Sequence, residues 1–209
     1  MPYQEIGIKD ITVVRGYQKN TVNIPGVHYV DNDDYENSGE LFSLQKALNA
    51  IDSHTEQDLI ICYGDVLFNK YIPAILCEMD ADFVIVVDSQ WQGSANRQRL
   101  ADYVSCTQPG ARTAFFQPIY LTNMAGNLAP QVIDGEWMGF FKAKHNNINL
   151  LQDILSFLLS GTGYKTATMP LLINTLVKQG HQIRVIYTAG HWLDVDSLED
   201  VVKANVLFS

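Results

Sequence analysis

Near the end of the sequence, in the stretch HWLDVDSLED (191–200), Asp194 and Asp196 flank a valine behind a tryptophan. If they close a strand, their alternation puts both carboxylates on one side. Two carboxylates held close repel unless a cation or a shared proton compensates. A hard divalent ion such as Mg²⁺ suits such a pair, with waters and phosphate oxygens completing its shell. Ser197 and Asp200 have a plainer use, because S-x-x-[DE] is a capping box that starts a helix. Two further acids end apolar runs: Asp65 in LIICYGD and Asp88 in FVIVVD. A carboxylate there must be solvated, hydrogen-bonded or metal-bound to offset its desolvation. The carboxyl ends of strands are also where open α/β sheets bind ligands. A turn or helix-capping role is the alternative for each.

Other chemistries fit less well. An EF-hand loop fails, because with Asp194 as the first position Leu198 and Glu199 occupy the fifth and sixth. A phosphatase-type D-x-D nucleophile needs a large domain after it, and only 13 residues follow Asp196. A glycosyltransferase D-x-D is expected in mid-chain, nearer Asp65. SGTGYKT (160–166) contains G-x-G and a lysine, but it follows a helix and fits neither phosphate-loop pattern. His28, His54, His145, His181 and His191 are scattered without metal-ligand spacing, and no G-x-S-x-G elbow occurs.

The elements that must position these acids follow from periodicity. Strands are expected at 8–17, 27–32, 58–68 (broken at Gly64-Asp65), 81–91, 135–144 and 181–189, from β-branched or continuous apolar runs. Helices are expected at 38–51 with Ser38 as cap, at 71–79, 149–161 and 168–180, and from Ser197 onward. Between 92 and 135, ADYVSC, TAFFQPIYLT and LAPQVID read as short strands of a β-rich insertion. Alternation of strands and helices implies one α/β domain over 1–209. Its sheet is mostly parallel and covered on both faces.

The chain has 209 residues, 47% of them hydrophobic and 18% charged, which is ample for a packed core. Its net charge of −9, with no basic run, argues against a nucleic-acid partner, since that affinity rests on phosphate neutralisation. Nothing approaches the ~18–20 apolar residues of a membrane span. Three unpaired-looking cysteines, Cys62, Cys77 and Cys106, with no secretory leader pattern, read as a reduced, cytoplasmic protein.

Taken in order, GIKDITVVRGY, YENSGELFSLQKAL, DLIICYGDVLF, VIVVD, GEWMGFF and WLDVDSLEDVVKA resemble the nucleotidyltransferases that activate sugar phosphates, phosphocholine and phosphonates. The resemblance spans 6–91 and 135–205. It is strongest to the phosphocholine and aminoethylphosphonate cytidylyltransferase branch, which includes domains fused to phosphoenolpyruvate mutases. It implies a Rossmann-like (GT-A-type) mixed sheet and a Mg²⁺-dependent attack of a phosphate or phosphonate oxygen on the α-phosphorus of a nucleoside triphosphate. CTP is the favoured nucleotide, phosphocholine or 2-aminoethylphosphonate the acceptor, and pyrophosphate the leaving group.

By the same resemblance Asp65 is a metal-binding aspartate and Asp194 and Asp196 the second acidic pair. Glu136 and Gly139 line the acceptor site, with 92–135 as the acceptor-side insertion, and Ser43 lies near that pocket. Asp88, at a strand end, and Trp192 join the substrate-binding candidates. Trp91, Trp137 and Trp192 are the rings that could cage an ammonium, core or rim packing being the other use of each.

Two departures stand out. The family's first strand, glycine-rich loop and downstream lysine have no counterpart before MPYQEIGIKDI. The expectation is a chain that turns over weakly by itself and associates with a second copy or with a complementing N-terminal segment. Residues 100–141 also carry no lysine and only Arg112 as a basic residue. The other readings are a non-catalytic assembly module and a metal-dependent glycosyltransferase of related fold.

Overall fold

A computed structural model describes residues 2–51, 56–93, 100–110, 117–161 and 167–207. Its centre is β5 (Phe83–Asp88), the FVIVVD run, in which every residue is buried. A strand buried on both faces has no need of polar alternation, which is why its sequence is continuously apolar. Phe83, Ile85 and Val87 face one core with Leu41, Leu44 and Leu48 of α2 (Glu40–Ala50), and with residues of α4 (Ile148–Leu159) and α5 (Met169–Lys178). Val84 and Val86 face the opposite core with Ile72 and Leu76 of α3 (Tyr71–Glu78), where Tyr3 of the short α1 (Pro2–Glu5) also packs. Each such side chain contributes ~1.5–3 kcal/mol by leaving water. The two faces of β5 thus tie two helical layers to one sheet.

The sheet is mixed. β5 runs parallel to β9 (Ile183–Thr188) and antiparallel to the long β8 (Gly135–Ala143). The other edge of β8 is shared: its lower half pairs with β3 (Leu59–Cys62), its upper half with β6 (Tyr103–Cys106). β6 in turn pairs with β7 (Leu121–Ala125). β3, β5 and β9 therefore run in one direction with β8 inserted against them. The change of partner on β8 occurs at Gly139, which has φ 79°. Between Ile85 and Val87 of β5, β8 advances from Phe141 to Trp137, so it bulges there. Gly135 is required for a different reason, because an added Cβ would run into Val87 and lie 2.8 Å from the Asp88 carbonyl.

Two small sheets complete the architecture. β1 (Thr12–Arg15) and β2 (His28–Asp31) pair in parallel, and β4 (Val66–Phe68) pairs antiparallel with β10 (Trp192–Asp194). The last helix, α6 (Leu198–Leu207), follows at once. No described helix is long and apolar enough to cross a membrane.

Most expected elements appear, with three differences. The strand expected over 58–68 is two strands in two sheets, because the chain turns at Gly64-Asp65. The cap of α2 is Gly39 rather than Ser38, whose hydroxyl instead accepts from the Asn32 side chain at 2.9 Å. LAPQVID is not a strand; Pro130–Val132 form one 3-10 turn, since proline supplies no ladder donor. Much of TAFFQPIYLT and of SGTGYKT lies outside the described residues.

Candidate active site

The β4–β10 pair is what brings the acids together. Asp65 immediately precedes β4, and Asp194 ends β10 opposite Val66. The ladder continues one step further, with the Val195 N–H donating to the Asp65 carbonyl at 2.9 Å. Oxygens of Asp65, Asp194 and Asp196 then lie within 4.8 Å of one another, with Asp65 and Asp196 exposed and Asp194 half-buried. The chain is fixed on both sides of this trio. Beyond it, the Ser197 N–H and hydroxyl donate to the Asp200 carboxylate at 2.9 and 2.6 Å, and the Asp200 N–H returns to the Ser197 hydroxyl. The expected capping box is formed, and Asp200 is fully buried. Before it, Gly190 and His191 turn the chain with φ of 66° and 63°. The His191 carbonyl accepts from Asn69 N–H, and its ring pairs with the Tyr71 hydroxyl at 3.0 Å.

Asp65 and Asp194 also line a cavity of about 340 Å³, walled by Glu40, Tyr63, Asp102 and Thr168 among others. Sequence reasoning did not single out Glu40, Tyr63 or Asp102. Glu40 sits in the first turn of α2, where an acid needs no function. Here its Oε2 accepts from the Tyr63 hydroxyl and from the Met169 N–H, both at 2.8 Å. One carboxylate thereby joins the ends of β3, α2 and α5. Tyr63 is held from its other side by Trp137, ring centroids 5.3 Å apart and nearly perpendicular. Asp102 precedes β6, and its carbonyl accepts from Trp137 N–H at 2.8 Å. Burial, and then the charge of Glu40, push the Asp102 carboxyl up to about 6. The signal that could have found Asp102 is weak: one acid at the edge of an apolar strand in the insertion.

The remaining candidates have definite places. Asp88 is buried, and its Oδ1 accepts from the N–H groups of Gln90 and Gly190 at 2.8 and 3.1 Å. Its Oδ2 accepts from the Trp192 indole at 3.0 Å. Asp88 and Trp192 therefore join the loops after β5 and β9, two residues before Asp194. Glu136 is buried on β8, opposite Asp88 on one side and Tyr103 on the other. Gly139 packs against Tyr63, where a Cβ would come within 3.0 Å of the ring, and its carbonyl accepts from Tyr63 N–H. Ser43 accepts from the Asn32 amide at 3.0 Å, at the junction of β2 and α2, and is not among the residues lining the 340 Å³ cavity. Trp137 is buried, with its indole N–H on the Phe140 carbonyl at 2.8 Å.

The trio can hold a hard divalent ion. Its donors are all carboxylate oxygens, it is open to solvent, and among the described residues no lysine or arginine lines the cavity beside it. Such an ion would relieve the repulsion among the three acids.

No family model matches the sequence. A CTP:phosphoglutamine cytidylyltransferase of Campylobacter jejuni is 23% identical over 211 residues, covering 93% of this chain and 80% of that protein. The inositol-1-phosphate CTP transferase of T. maritima superposes with a TM-score of 0.73 at 14% identity, over 99% of this chain and 78% of that one. The CTP:phosphocholine cytidylyltransferase of Streptococcus pneumoniae gives a TM-score of 0.63 at 14% identity, over 100% and 82%. The solved structures bear out the Rossmann-like fold, and the sequence likeness to the Campylobacter protein bears out the resemblance to cytidylyltransferase-like nucleotidyltransferases read from the sequence.

Proposed function

We propose that the protein is a Mg²⁺-dependent nucleotidyltransferase that transfers CMP from CTP to a small phosphate or phosphonate acceptor and releases pyrophosphate. The observation that carries this reading is the convergence of Asp65, Asp194 and Asp196 at the paired ends of β4 and β10, where Asp65 and Asp194 line a cavity. Phosphoryl transfer asks little covalent help of a protein. It asks that charge be neutralised and the reacting oxygens be held in line. A bound divalent ion would supply the neutralisation. The residues of this chain hold the trio in place through β4–β10 and the Ser197–Asp200 box.

The cavity favours one kind of acceptor. Among the described residues Glu40 and Asp102 line it and no lysine or arginine does, so these walls offer no cation to the acceptor's own phosphate. A positively charged tail does gain. Phosphocholine or 2-aminoethylphosphonate fits that field better than an uncharged sugar phosphate or an acidic acceptor.

The test is transfer from radiolabelled CTP in the presence of Mg²⁺ and each acceptor. Product above the level set by Asp65→Asn and Asp194→Asn, abolished by chelation, is the expected result. Label that forms no CDP-linked product with any phosphate or phosphonate acceptor, or product unaffected by both substitutions, would refute the proposal.

A further inference from the structure

A second and larger cavity, about 810 Å³, lies beyond the carboxyl ends of the parallel strands β5 and β9. Its volume falls in the ~300–1,000 Å³ range of small-molecule sites. The loops after those strands supply its walls, Asp88–Gly93 on one side and Gly190–Trp192 on the other. Both loops are held before any ligand arrives, because the three donors on the buried Asp88 carboxylate come from Gln90, Gly190 and Trp192.

The chemistry of the lining is selective. Among the described residues no lysine or arginine lines the cavity, so these walls offer a phosphate no permanent cation. Two carboxylates do line it, but both already accept hydrogen bonds: Asp88 as above, and Asp134 from the Cys106 N–H at 2.7 Å. The Trp192 indole N–H is taken by Asp88 and the His191 ring by the Tyr71 hydroxyl, which leaves the Trp91 indole and a set of neutral polar groups. Trp91 is braced by Tyr103, centroids 5.0 Å apart. Asn69, Ser89, Gln90 and Gln92 line the same cavity. An aromatic ring that accepts C–H groups, in one cavity with amides that can both donate and accept, matches a polyhydroxylated ring.

We propose that this cavity binds a neutral carbohydrate ring, at a site separate from the acidic trio and independent of the divalent ion. The proposal does not rest on nucleotidyl transfer.

The experiment uses the purified chain with glucose, mannose and N-acetylglucosamine as probes, and inorganic phosphate and choline as controls. Binding is read by saturation-transfer NMR and by tryptophan fluorescence. At least one sugar is expected to saturate, with and without chelator and equally in Asp194→Asn. Trp91→Ala and, separately, Gln92→Ala are expected to weaken it about tenfold or more, as loss of a central contact does. Neither should change Mn²⁺ binding, which also shows that the variants are folded. The proposal is overturned if no neutral sugar saturates, if both variants bind as the parent does, if phosphate or choline competes equally, or if chelation or Asp194→Asn abolishes binding. The last outcome would make the cavity part of the transfer site.

Discussion

Asp102→Asn should make the protein more stable at neutral pH while weakening a cationic acceptor. The Asp102 carboxyl is raised from 3.8 to about 6, first by burial and then by the Glu40 charge. A carboxyl raised in the folded state binds protons more readily there than in the unfolded chain. Between pH 4 and 6 the folded protein therefore loses stability as pH rises, and above about 6 the deficit is complete. At ~1.4 kcal/mol per pH unit, the displacement corresponds to ~3 kcal/mol. Solvent screening of a group still partly open to water reduces this to about 1–2 kcal/mol. Asparagine keeps the shape of the protonated acid and removes the charge. Urea unfolding should therefore show the variant ahead by about 1–2 kcal/mol at pH 7.5 and level with the parent at pH 4. A variant that is less stable at pH 7.5, or whose advantage does not change with pH, would refute this account of the cavity.

Three further substitutions probe the frame. Trp192→Phe removes the indole donor to Asp88 Oδ2 and should cost about 1.5–3 kcal/mol by denaturant unfolding. Gly135→Ala drives a methyl into Val87 and the Asp88 carbonyl, and should cost about 2 kcal/mol or more, visible as a lowered Tm. Asp58→Ala removes the carboxylate paired at 2.9 Å with the Lys142 ammonium, whose side chain is 3% exposed, and leaves that charge the Met79 carbonyl, 2.8 Å away. It should cost about 2–4 kcal/mol at pH 7, discounted from the fully buried case because Asp58 itself is partly exposed. Burial works against ionisation of Asp58, but the Lys142 ammonium and the His145 N–H outweigh it and hold the carboxyl below 3.8. That stability is present above 3.8 and is lost as pH falls through the lower folded value, so the gap between parent and variant should close in acid.

What was legible in the sequence depended on how local the signal was. β5, β8, α4 and α5 were plain because burial or periodicity runs unbroken for six or more residues. The Ser197–Asp200 box was legible because its partners are three residues apart. The pairing of Asp65 with Asp194 was suggested by strand ends and by resemblance, but the device that joins them was not. β4 and β10 are three residues each, too short for a period to register. Glu40, Tyr63 and Asp102 escaped notice because their meeting depends on α2, β3 and β6 converging from distant parts of the chain. Asp88 was legible as an odd acid in an apolar run. Its three donors arise from two loops, one of them about a hundred residues away, and only the fold supplies them.

The claim at the centre of the account is that Asp65, Asp194 and Asp196 hold a divalent ion that nucleotide binding uses. Mn²⁺ titration followed by electron paramagnetic resonance, with and without CTP, measures it directly. The expected result is one saturable site that tightens when CTP is present and weakens about tenfold or more in Asp194→Asn, with Asp65→Asn behaving alike. Mn²⁺ that binds the parent and both variants equally, or does not bind the parent at all, would contradict it.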